Sequence, residues 1–163
     1  MIKKVISFLV LSLCLLVSVS LQAQPHFGDT ATEIALPSVN GDTITLSSLR
    51  GKVVLVDFWA SWCGPCRWTN KKIAKVYDAY KEKGFEIFGV SVDENKKAWL
   101  KAIRKDKISW IQVNDNSGRE SKIAADWSVY AIPTSYLIGR DGKLIAMDLS
   151  SKELEKTLKK ILE

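Results

Sequence analysis

Val53-Val54-Leu55-Val56-Asp57-Phe58-Trp59-Ala60-Ser61-Trp62-Cys63-Gly64-Pro65-Cys66 is the stretch that decides the fold of this 163-residue chain. Val53 to Trp59 is almost continuously apolar and rich in β-branched residues, the pattern of a central strand covered on both faces. Directly after it stand two thiols at Cys-x-x-Cys spacing, able to close a disulfide and open it again. A helix starting at or just after Cys63 would turn its unpaired amides and the positive end of its dipole towards that sulfur, favouring thiolate over thiol. Lowering a thiol pKa from about 8.5 to about 7 takes roughly 2 kcal/mol and raises the thiolate fraction at neutral pH from a few per cent to about half. Cys63 is therefore read as the nucleophile, and Cys66, one turn further in, as the resolving thiol that breaks a mixed disulfide.

Other uses of the pair fit the chain less well. A zinc site needs about four ligands, and the other Cys and His residues are Cys14 and His26, both near the N-terminus. A structural disulfide more often joins distant segments, because closing a short loop restrains the unfolded chain least. An inert bridge between Cys63 and Cys66 stays as the alternative to redox chemistry. No cofactor and no metal is called for.

Towards the N-terminus, residues 1–23 have the anatomy of a secretory signal: Lys3 and Lys4, an apolar stretch from Val5 to Leu21, then small residues around Ala23. Cleavage is expected after Ala23, with Ser20 as the alternative site. The apolar stretch is 17 residues long and carries Ser7, Ser12, Ser18 and Ser20, which favours a cleaved signal over a permanent anchor, the alternative outcome. Cys14 is not read as a lipoprotein site, because Leu13 before it is large. The expectation is an exported, periplasmic protein whose residues 24–163 form one domain with a real core. Removing Lys3 and Lys4 takes the formal charge from +6 to +4, a surplus too mild to call for nucleic acid. The lysine pairs at 71–72, 96–97 and 159–160 fall on expected helices as solvated faces.

Around the central stretch, Glu33 to Leu36 and Thr43 to Leu46 read as a hairpin about Asn40-Gly41-Asp42. A helix is expected from Pro65 to Lys83, its stripe Ile73, Val76, Tyr77 and Tyr80 continuing back to Cys66, so that the resolving thiol faces the core. Then come a strand at Phe85 to Val92, a helix at Asn95 to Asp106, a strand at Ile111 to Asn114 and a short helix at Arg119 to Trp127. Thr134 to Ile138 and Lys143 to Met147 pair about Arg140-Asp141-Gly142, and a helix at Ser151 to Leu162 closes the chain on Leu154, Leu158, Ile161 and Leu162. The alternation implies βαβ units followed by an antiparallel end: an α/β fold with a mixed central sheet, helices on both faces and an N-terminal β-hairpin extension.

That order, with a Cys-Gly-Pro-Cys helix after the first main strand, resembles the thioredoxin fold. The run Val56 to Cys66 is close to the thioredoxin active-site signature, and Ile132-Pro133-Thr134 is similar to that family's cis-proline loop. The hairpin with Leu46-Ser47-Ser48-Leu49-Arg50-Gly51-Lys52, the extra length between Cys66 and Pro133, and the export signal resemble the exported TlpA/ResA-like thiol-disulfide oxidoreductases. Many of those carry a Glu and a Pro where this chain has Thr69 and Lys71. The resemblance implies a thioredoxin-like fold, a redox-active Cys63–Cys66 disulfide, and Trp62, Gly64, Pro65, Ile132, Pro133 and Thr134 as its support, with Trp62 and Ile132 touching the substrate.

Asp57 is the anomaly of the central strand, since a charged, unpaired carboxylate there costs several kcal/mol. It is read as a buried carboxyl with a raised pKa that takes and returns the proton of Cys66, as the resemblance also implies. The alternative is a frayed strand end beside a lysine. Pro133 is read as cis, against an ordinary trans proline before an edge strand. Trp62 shields Cys63 and offers an apolar contact surface, or else is a core aromatic. Trp68 lies roughly 140° around the helix from the buried stripe, which suits either an exposed partner contact or packing under the hairpin. Trp59, Trp99, Trp110 and Trp127 are assigned to the core, and His26 to an inert leader.

The function expected is reduction of disulfides in other exported proteins, with electrons supplied by a membrane partner and with cytochrome c maturation as one route it would serve. A monomer is expected. The rivals are a peroxiredoxin-like peroxidase, whose reactive Cys normally follows a Thr by three residues where this chain has Ala60, and a non-enzymatic binding module whose disulfide stiffens the helix start.

Overall fold

The computed structural model describes residues 25–163. The expected signal over residues 1–23, its expected cleavage after Ala23 and the reading of Cys14 lie outside the described residues. A short hairpin of β1 (Ala35–Pro37) and β2 (Thr43–Thr45) leads into β3 (Val53–Trp59), α1 (Gly64–Tyr80), β4 (Phe85–Ser91) and α2 (Lys96–Asp106). There follow β5 (Ile111–Asn114), α3 (Lys122–Asp126), β6 (Thr134–Ile138), β7 (Leu144–Met147) and α4 (Ser151–Leu162).

The main sheet runs β5-β4-β3-β6-β7. Strands β3, β4 and β5 are parallel, while β6 pairs antiparallel to β3 and β7 antiparallel to β6. This is the mixed sheet that the βαβ units and the antiparallel end required. Its centre is β3, whose seven residues are all buried, as a continuously apolar run between two neighbours should be.

The period-2 alternation of β3 sends side chains into two separate cores. Val53, Leu55 and Trp59 pack on one side with Ile73, Tyr77 and Leu154 from α1 and α4 and Trp99 from α2. Val54, Val56 and Phe58 pack on the other with Leu36 and Leu46 of the hairpin region, Trp127 and Tyr136. Helices thus cover both faces, unequally: α1, α2 and α4 share one, and α3 shares the other with the hairpin. Isolated bridges Thr30–Lys143 and Ser38–Val113 fasten the hairpin segment to the sheet.

Several boundaries differ from the sequence reading for local reasons. The expected hairpin strands lose residues at both outer ends because Glu33 is diverted, its carboxylate accepting the Ile34 and Ser47 N–H groups. Leu46 begins a 3₁₀ turn through Leu49 instead of extending β2. The expected helix 65–83 tightens after Tyr80 into a 3₁₀ turn, Lys81–Lys83, closed by Gly84 at φ +94°. The expected helix 119–127 splits because Ser121 caps a new start, its Oγ accepting the Ala124 N–H at 2.9 Å. On α4, Leu154 and Leu158 are buried as expected, but Ile161 is exposed in the last turn before the chain ends.

Candidate active site

The chain leaves β3 at Trp59 and reaches α1 through one tight loop, in which the Cys63 N–H donates to the Ala60 carbonyl at 3.1 Å. Cys63 is the N-cap of α1. Its extended backbone aims Sγ at the first turn, where it accepts the Cys66 N–H at 3.2 Å. Gly64 and Pro65 occupy the first helical positions, and proline suits that place because the N–H it lacks would have found no helical partner. Cys63 and Cys66 are joined in a disulfide with Cα atoms 5.3 Å apart. Both are buried, Cys63 at 5% exposure and Cys66 at 1%, so Cys63 is the less enclosed of the two.

Facing the disulfide is the loop before β6. Its Ile132–Pro133 peptide bond is cis, as expected from the sequence. The Ile132 carbonyl oxygen lies 3.9 Å from Cys63 Sγ, and Thr134 Oγ1 donates to the Ala131 carbonyl at 2.8 Å, closing the loop on itself. Trp62 is 66% exposed beside Cys63, which settles it as surface, not core. The fold therefore brings Trp62, Cys63, Gly64, Pro65, Cys66, Ile132, Pro133 and Thr134 together at one edge of the molecule.

Asp57 sits in the middle of β3, between Gly89 of β4 and Ser135 of β6, so the frayed-end alternative does not hold. It points to the same side as Leu55 and Trp59, the side that α1 covers. Only 3% of it is exposed. Burial, followed by the nearby Asp148 carboxylate, pushes its pKa up from 3.8 to about 7, and no cation is among the groups that shift it. A cleft of about 510 Å³ between α1, β6 and the start of α4 leads to this carboxyl, lined also by Trp68, Lys72, Asp148 and Glu153. Proton traffic between Asp57 and solvent has a route.

Trp68 is 61% exposed at that cleft, with Lys72 Nζ 3.3 Å from its ring centroid. It lies on the α1 side of the sheet, so it does not pack under the hairpin. Trp59, Trp99, Trp110 and Trp127 are core residues, and His26 is exposed beside Asp29. Among the described residues, no group of three or more His, Cys, Asp and Glu is arranged to hold a metal ion.

Three residues near the site escaped the sequence reading. Tyr130 is exposed just ahead of the cis-proline loop. Asn70 is buried on the Cys66–Ile73 stripe with neither amide atom paired. Asp93 is buried beyond β4 and receives both the N–H and the hydroxyl of Ser61. The only hint of the last is an acid immediately after the apolar run of β4.

Comparison with known proteins agrees with this geometry. Residues 27–147 match the AhpC/TSA family. The thiol-disulfide oxidoreductase ResA of Bacillus cereus (strain ZK / E33L) is 32% identical over 139 residues, covering 83% of this chain and 79% of that protein. The thioredoxin domain of a thiol-disulfide oxidoreductase from Bacteroides vulgatus superposes with a TM-score of 0.80 at 33% identity, over 85% of this chain and 99% of that one. A thiol-disulfide oxidoreductase from Bacteroides fragilis NCTC 9343 superposes with a TM-score of 0.76 at 34% identity, over 81% and 98% respectively.

Proposed function

Because the chain belongs to the AhpC/TSA family and is a thiol-disulfide oxidoreductase of thioredoxin-like fold, we propose that it works as a reductant of disulfides in other exported proteins. The observation that carries this reading is the seating of Cys63 Sγ on the Cys66 N–H in the first turn of α1, opposite the Ile132 carbonyl, with a buried carboxyl on the face of β3 that α1 covers. In the reduced protein the Cys63 thiolate attacks a substrate disulfide; one sulfur–sulfur bond breaks, a mixed disulfide forms, and the first substrate thiolate leaves and takes a proton. Asp57 accepts the Cys66 proton, the Cys66 thiolate attacks Cys63 Sγ, and the second substrate thiolate leaves. Two electrons have passed to the substrate, and the Cys63–Cys66 disulfide is restored. Trp62 and Ile132 supply the apolar contact and backbone edge against which the substrate lies, with Pro133 and Thr134 shaping that edge.

Residues 1–23 support export, and a periplasmic reductant needs a membrane dithiol donor to reset it. Cytochrome c maturation is a process that such reduction would serve; loss of haem-stained c-type cytochromes on deleting the gene tests that role. The direction is tested by the equilibrium reduction potential of the Cys63–Cys66 pair in thiol buffers. A value near or below about −250 mV supports the reductant; one near about −120 mV makes the protein an oxidant. Failure to cycle at all leaves the inert bridge.

A further inference from the structure

A carboxylate that thiol exchange does not itself use grips the loop that presents Cys63. Asp93 lies just past the end of β4, fully enclosed. Its Oδ2 accepts the Ser61 N–H at 2.8 Å and the Ser91 hydroxyl at 2.8 Å, while Oδ1 accepts the Ser61 hydroxyl at 2.6 Å. Ser91 Oγ in turn accepts the Asp93 N–H at 3.0 Å and an Asn114 Nδ2 hydrogen at 3.0 Å. The Asn114 amide also donates to the Asp93 carbonyl at 2.9 Å. Ser91 and Asn114 are cross-strand partners on β4 and β5. The ends of three parallel strands are thereby tied together where the chain turns towards the nucleophile.

We propose that Asp93 is a positioning residue for thiol-disulfide exchange: by clamping Ser61 it keeps the Cys63 sulfur seated on the N-terminus of α1 after the disulfide opens. This rests on Cys63 being the nucleophile. While the disulfide is closed, the bond to Cys66 holds Cys63 in place. Once it opens, the sulfur keeps only the Cys66 N–H and whatever fixes the loop behind it. Stabilisation by helix amides and dipole fades within the first turn, so a loop free to shift leaves the thiolate without it.

A purely electrostatic role makes the opposite prediction. A carboxylate near Cys63 repels a thiolate, so removing its charge alone would lower the thiol pKa, whereas removing its grip raises it. Asn in place of Asp93 keeps an oxygen for the Ser61 N–H while losing the charge; Ala keeps nothing.

The experiment is the pH profile of iodoacetamide alkylation of the reduced protein, with cooperative thermal melts to show that each variant is folded. Asp93→Ala is expected to move the Cys63 midpoint up by about half a pH unit or more and to slow alkylation at pH 7 by about threefold. Asp93→Asn is expected to return both close to wild type, and Ser61→Ala to show part of the upward shift. A folded Asp93→Ala protein whose midpoint is unchanged or lower overturns the proposal. Should Asp93→Ala not fold, Ser61→Ala decides: an upward shift supports the clamp, and a wild-type midpoint overturns it. Turnover that survives Cys63→Ser would instead overturn the nucleophile assignment, and this inference with it.

Discussion

Asp57 places a carboxyl where its charge is poorly hydrated, and the cost is visible as a function of pH. Between 3.8 and about 7 the folded protein holds a proton that the unfolded chain has released. Stability must therefore fall as pH rises through that window and level off above it. A gap of roughly three pH units corresponds to on the order of 4 kcal/mol, or about 14 °C in melting temperature for a domain of this size. Asp57→Asn, which carries no charge at any pH, is expected to melt close to wild type at pH 4 and well above it at pH 8. Thermal melts of the oxidised proteins from pH 4 to 8 check this, and two parallel curves would show that Asp57 is not the titrating group. Such a residue is legible in a sequence because it contradicts its own strand. Asp93 is not legible in that way, since an acid at a strand end is ordinary until the position of Ser61 is known. Asn70 is hidden for the same reason: on the buried stripe of α1 it looks like one polar residue on a helix rich in lysines.

At the level of elements, α1 starts at Cys63 and carries Cys66, and its first turn is pinned from the side. Arg67 directly follows Cys66 and holds the Asp106 carboxylate at the end of α2 through two bonds, Nε at 2.6 Å and an Nη at 2.8 Å. The Asp106 side chain is only 2% exposed, and the Arg67 hydrogen bonds hold its pKa below the usual carboxylate range. Removing the guanidinium takes both bonds from that carboxylate and leaves it only the charges of Lys71 and Lys105, so Arg67→Met is expected to lose about 1 kcal/mol at pH 7. Because the folded pKa is lowered, the contribution is complete above the unfolded carboxyl value and vanishes as pH falls. Urea melts at pH 7 and pH 3 should therefore show a gap that nearly closes in acid; a gap of equal size at both would assign the loss to packing. Elements of this kind were largely readable from the chain. Strands β3, β5 and β6 and helix α4 begin and end where the apolar pattern placed them, and the helical angle of Trp68 put it off the buried stripe of α1. What slipped depended on side chains bonding out of register: Glu33 drawn to Ser47, Ser121 starting a helix of its own. Such diversions need a partner's position in space, which pattern alone does not supply.

For the molecule as a whole, the disulfide closes a loop of only four residues within a fold already held by a five-stranded sheet and two apolar cores. In the chain-entropy account so short a loop destabilises the unfolded state by about 2 kcal/mol. By a thermodynamic cycle, whatever stability the disulfide adds to the fold is also the amount by which folding favours the disulfide over the dithiol. That much lowers the reduction potential by about 40 mV relative to the unfolded chain. Stabilisation of the Cys63 thiolate by α1 works in the other direction, since it favours the reduced form. The difference in melting temperature between the two redox states therefore reports which effect wins. For a reductant, the oxidised protein should melt above the reduced one, by up to about 7 °C, with both transitions cooperative because the cores do not depend on the bridge. Calorimetry of the protein with and without excess dithiothreitol checks it. A reduced form that melts higher would mean that the helix terminus outweighs loop closure, and the protein would then draw electrons from its partners.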